Sequence, residues 1–193
     1  MSLILSGDGT VSGLAVGGLP DGTVDSGTIA SNAVTNVKVA DVDVSKLTGD
    51  NASVRVTKSG AQTITNNTAT VVTWDVETFD VDGMHDNVTN NSRFTAPVSG
   101  KYLVGASIVF TENSTAGRGV YVRKNGTTYY GGQENQTPSV GSTFHDGTAY
   151  STLVDLLATE YVEIICTQNS SASLTIRHSS NPATGAWMTY AGE

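Results

Sequence analysis

The chain has 193 residues, enough for one β-domain of ordinary size plus an appendage. It carries 10 Lys and Arg against 18 Asp and Glu, for a net charge of −8 and a pI near 4.7. Phosphate binding needs clustered cations and these are scattered, so no nucleic-acid partner is expected, and no apolar run approaches the roughly 20 residues of a membrane span. The first Lys is Lys38, so the N-terminus lacks the basic flank of a secretion signal. A single cysteine, Cys166, allows no internal disulfide, and its place in Tyr161-Val162-Glu163-Ile164-Ile165-Cys166 predicts an inert, buried strand position.

From the start of the chain, Leu14, Leu19, Val24, Ile29, Val34, Val39 and Val44 recur at a spacing of five. The repeat is clearer as the decads LPDGTVDSGT, IASNAVTNVK and VADVDVSKLT. Five residues along a strand reach its opposite face, so a flat strand cannot use this stripe. Short extended pieces with turns, their apolar positions meeting on a common axis of three chains, are one solution. A short trimeric coiled coil through Ala30, Ala33, Val37, Ala40, Val44 and Leu47 is the other. The abundance of Thr, Val, Asn, Asp and Gly favours the extended form. The decads resemble repeats of bacteriophage tail-fibre shafts, which implies a trimeric stalk over residues 1–50. Thr48-Gly49-Asp50-Asn51 is the predicted junction to a head over residues 51–193.

No Phe, Trp or Tyr precedes Trp74, so the dense core belongs to the head. Strands are predicted near 53–58, 62–65, 70–79, 92–95, 101–111, 119–124, 127–131, 143–156, 160–168, 173–178 and 185–191. Many short strands with turn punctuation and no helical period indicate an all-β sandwich or jelly roll. The strongest of them places Tyr102, Val104, Ala106, Ile108 and Phe110 on one face by period two.

An acidic loop, then Phe94-Thr95-Ala96-Pro97, then Gly100-Lys101-Tyr102 and that alternating strand resemble the C1q-like heads related to tumour necrosis factor. Val120-Tyr121-Val122-Arg123-Lys124-Asn125-Gly126 resembles the family's strand ending in a K-N-G turn, and Tyr150 to Gln168 resembles its pair of late strands. Between those two strands the family usually has Gly-Asp, where this chain has Thr159-Glu160. The resemblance covers roughly residues 71–193 and implies a homotrimeric C1q/TNF-like jelly-roll head.

His85, His145 and His178 lack metal-ligand spacing, no Gly-x-Ser-x-Gly occurs, and Gly117-Arg118-Gly119 and Gly131-Gly132 read as turns rather than a phosphate loop. Asp75, Glu77, Asp80, Asp82 and Asp86 cluster, so Asp75, Glu77 and Asp82 are candidate oxygen ligands for calcium, or an acid pair for glycoside hydrolysis. Binding is the favoured reading. Tyr129, Tyr130, Gln133, Asn135, His145, His178 and Trp187 are candidates to stack on and hydrogen-bond a sugar, against a core or interface role for the aromatics.

Together these expectations describe a non-enzymatic, extracellular virion fibre protein. It attaches to other tail proteins through its N-terminus and presents a head to a host cell-surface glycan or protein. The alternatives are a bacterial surface or spore-filament adhesin with a similar head, and a polysaccharide-cleaving tailspike enzyme.

Overall fold

The computed structural model describes residues 4–5, 11–12, 51–115, 117–135, 146–178 and 184–193. The chain divides into two units, Met1–Asp43 and Val44–Glu193. In the first, strands β1 (Ile4–Leu5) and β2 (Val11–Ser12) pair antiparallel. The five-residue repeat lies outside the described residues.

The second unit is built from β3 (Ser53–Thr57), β4 (Gln62–Ile64), β5 (Thr70–Val71), β6 (Val76–Val81), β7 (Arg93–Thr95), β8 (Gly100–Phe110), β9 (Arg118–Lys124), β10 (Thr128–Asn135), β11 (Asp146–Leu156), β12 (Tyr161–Gln168), β13 (Leu174–Ile176) and β14 (Gly185–Gly192), with no helix among the described residues. One sheet runs β4-β13-β8-β14-β3-β6, with β11 along the other edge of β8. The second runs β10-β9-β12-β5, and β7 also pairs with β12. Because β8 pairs with β11 while the intervening β9 and β10 belong to the opposite sheet, the chain crosses repeatedly between layers. This is a jelly-roll sandwich.

Period two on β8 does what the sequence predicts, since Tyr102, Val104, Ala106, Ile108 and Phe110 are all fully buried. They join Val120 and Val122 from β9 and Ile164 and Cys166 from β12 in one core. Burial pushes the Cys166 thiol far up, which keeps it protonated and unreactive. The predicted 70–79 strand is instead two strands on different sheets. Val71 pairs with Ile165 of β12, whereas Val76 pairs with Thr57 of β3. Between them Trp74 is fully buried, and its amide donates to the Asn91 carbonyl rather than to a strand ladder. The bulk of Trp74 fills the space between the layers where the chain changes sheet.

The K-N-G turn forms the β9–β10 hairpin. Asn125 and Gly126 have φ of 48° and 71°, and the Thr127 amide donates to the Lys124 carbonyl. Two successive positive φ values match the right-handed twist of a hairpin, and Asn and Gly tolerate them best. At the β11–β12 turn, Thr159 takes φ of 72° where the resembled family has glycine. Glu160 supplies the acid of that turn, accepting from the Leu157 amide, Asn125 Nδ2 and Lys124 Nζ. The Lys124 and Leu157 donors hold its carboxyl below the usual range. A left-handed β-branched residue costs about 1–2 kcal/mol, partly offset in a glycine variant by the freedom of its unfolded chain. Thr159→Gly is therefore expected to stabilise the head by about 0.5–1 kcal/mol, read as a raised urea midpoint at unchanged slope.

Candidate functional surfaces

The acidic region holds the fold together. Asp75 accepts from the Ser59 amide at 2.8 Å and from its hydroxyl. Against a burial cost, those two donors and the Lys58 ammonium hold the Asp75 carboxyl below its usual range. Glu77 meets Nδ1 of the buried His85 at 2.9 Å, and Nε2 of that ring faces the Asn91 carbonyl at 3.2 Å. Asp80 accepts from the Met84 and His85 amides. Asp82, at φ of 69°, turns the chain with Gly83. These contacts pin the 82–91 excursion to the sheet, with His85 against Phe94 at 5.6 Å. Among the described residues no three His, Cys, Asp or Glu side chains are grouped to hold a metal ion. The structure thus does not gather Asp75, Glu77 and Asp82 as the calcium expectation requires. The hydrolytic alternative needs two carboxyls facing one bond, whereas Asp75 and Glu77 are taken up by Ser59 and His85.

The predicted sugar-binding residues lie on both sheets. Tyr129 is half exposed on β10, its ring edge-on to Tyr121 at 6.1 Å. Tyr130 packs against the core, and its carbonyl accepts from the Tyr150 hydroxyl. Gln133 and Asn135 are exposed on β10, where Asn135 Nδ2 donates to the Gly147 carbonyl. His178 is exposed just past β13, and His145 lies outside the described residues. Trp187 is on β14 in the other sheet, so the structure does not bring it together with Tyr129.

Trp187 belongs to an apolar surface instead. The register sets Phe79, Arg55, Trp187, Gly105 and Ser151 in one row across β6, β3, β14, β8 and β11. Ser53, Thr189, Leu103 and Leu153 form the next row. Both rows lie on the face turned away from the core. Phe79, Leu103 and Leu153 are 47%, 38% and 57% exposed, large values for such side chains. The Trp187 ring lies over Gly105, where a Cβ would come within 2.4 Å of it. A hollow of about 440 Å³ lined by Ser53, Arg55, Phe79, Trp187 and Thr189 opens beside it. Arg55 is the one charged residue in these two rows.

On the outer face of the other sheet, a polar cleft of about 370 Å³ is lined by Tyr121, Glu134, Arg118, Asn67, Thr167 and Asn169, among others. Gly119 and Gly132, read from sequence as turns, are strand residues flanking the Tyr121 ring. A Cβ on Gly119 would meet that ring at 2.8 Å, and one on Gly132 at 2.1 Å. Their lack of side chains lets the ring lie along the sheet. Burial and the Glu134 carboxylate push the Tyr121 phenol up, and its hydroxyl donates to Glu134. The guanidinium of the buried Arg118 donates to the carbonyls of Asn113, Thr115 and Gly117. Alternation of Gly119, Tyr121 and Arg123 within a strand was the available signal for this site.

Two antiparallel sheets with this crossing pattern define a jelly-roll sandwich of the C1q and tumour necrosis factor type. Murine APRIL at pH 5.0 is similar, with a TM-score of 0.55 and 12% identity over 73% of this chain and 99% of that one. Eiger TNF from S. frugiperda has a TM-score of 0.53 and 10% identity, over 75% of this chain and 95% of that one. The globular domain of zebrafish complement 1qA has a TM-score of 0.50 and 9% identity, over 74% and 99%. At identities this low the likeness shows the fold alone. No protein-family model and no curated protein sequence matches the chain.

Proposed function

We propose that the protein is a non-enzymatic, homotrimeric fibre component of a virion. In this reading residues 1–50 are the stalk, attached to other tail proteins, and residues 51–193 are a head that recognises a host cell-surface glycan. The observation that carries the reading is the apolar outer face around Phe79, Leu103, Leu153 and Trp187. A second copy of the chain suits this face, because two rows with Arg55 as their one charged residue incur little charge desolvation on self-association. The stripe Leu14 to Val44 supports the same stoichiometry, since one chain alone cannot bury it. Assembly of three heads would hold three such stripes at high effective concentration. The resemblance of the decads to tail-fibre shafts supports placement on a virion.

Light scattering on the purified chain at micromolar concentration is expected to give three times its 20.0 kDa mass. A monomer there would overturn the assembly. Deletion of residues 1–50 is expected to leave a soluble head with an intact β-sheet circular dichroism spectrum, and aggregation of that fragment would overturn the boundary.

A further inference from the structure

The cleft beside Tyr121 has the elements of a carbohydrate subsite, and its charges select among carbohydrates. Glycine inside a strand weakens it, and here two of them flank one aromatic ring and let it lie flat. A flat aromatic face carries negative potential that attracts the polarised C–H groups of a pyranose. Around it stand groups suited to hydroxyls. Glu134 is an acceptor, and Tyr121 Oη, which donates to it and accepts from Thr167, stands beside it. Asn169 accepts from the Gly117 amide through Oδ1, which leaves its NH₂ group as donor to the cleft. Asn67, whose backbone amide donates to the Gln168 carbonyl, adds a second side-chain amide to the lining. The volume of about 370 Å³ is at the low end of ligand pockets, which span roughly 300–1,000 Å³, and suits one or two sugar rings.

Charge then narrows the ligand. The Arg118 guanidinium is directed to three backbone carbonyls, and a carboxylate stands at the rim on a chain of net charge −8. Sialic and uronic acids would be repelled. We propose that this cleft binds an uncharged pyranose, stacked on Tyr121 with its hydroxyls on Glu134, Asn67 and Asn169. The assignment rests on the glycan-binding reading above and gives it a site and a ligand class.

The test uses the full chain on an array of neutral hexose and N-acetylhexosamine glycans together with sialylated and uronic-acid glycans, and in parallel on a panel of bacterial strains. Binding to at least one neutral glycan is expected, weakened at least tenfold by Tyr121→Ala and by Glu134→Ala. Glu134 is exposed on an edge strand, so its variant tests the cleft even where Tyr121→Ala fails to fold. Neutral-glycan binding unchanged in Glu134→Ala and in a folded Tyr121→Ala chain, or binding confined to acidic glycans, overturns the cleft assignment and leaves the receptor-binding reading standing. A chain that binds neither glycans nor any strain overturns both.

Discussion

Changing Leu153 and Trp187 together to glutamate is expected to convert the proposed trimer into a folded monomer of the chain's own mass. Leu153 is 57% exposed and lies opposite Leu103, itself 38% exposed, so neither has enough cover within one chain. Burying a side chain of this size contributes roughly 1.5–3 kcal/mol, and a threefold ring contains each contact three times. A carboxylate in its place must be desolvated without a partner and faces its symmetry mates, which adds several kcal/mol against assembly. Trp187 also covers Gly105 within its own chain, so the single Leu153→Glu variant separates assembly from folding. Light scattering with circular dichroism on both variants is the measurement. A trimer surviving the double change would show that another face makes the interface.

Gln168→Leu should produce the largest loss of stability away from that face. The side chain is only 2% exposed, yet all its hydrogen-bonding capacity is used. Nε2 donates to the carbonyls of Ile64 and Ala172 at 3.0 and 2.7 Å, and Oε1 accepts from the amide and hydroxyl of Ser170 at 2.8 and 2.7 Å. One amide therefore ties the turn after β4 to the turn before β13. Leucine fills a similar volume, so the expected loss of about 3 kcal/mol comes from stranding buried polar partners. For a domain of this size that lowers Tm by roughly 6–12 °C. A fall under about 2 °C would mean that water replaces the amide.

The fold was legible where local chemistry and tertiary packing agree. Alternation on β8, the Asn125-Gly126 turn and the buried Cys166 each follow from rules acting over a few residues. The break at Trp74 was not legible, because Val71 to Phe79 is a continuous β-prone run and only the opposing layer decides where it changes sheet. The partners of the acids were not legible for a related reason. Carboxylates that cap amides and pair with a histidine have the same sequence signature as carboxylates awaiting a cation. Their donors, Ser59 and His85, lie at other points in the chain and identify themselves only in three dimensions. Gly119 and Gly132 read as turns in sequence because glycine usually marks them, and only the register of β9 and β10 sets the Tyr121 ring between them.

Among the described residues strand β10 ends its sheet, and residues 131–135 along it are exposed. Outward backbone groups on such a border are a template on which a strand of another copy could add. Two local irregularities work against it. The register slips between Tyr129 and Gly132, which interrupts the straight ladder that an incoming strand must match. Just beyond, Glu134 sets a negative charge on the border, so two such borders meeting would repel. The residues that shape the Tyr121 cleft thus also help keep neighbouring copies of the chain from sticking to one another.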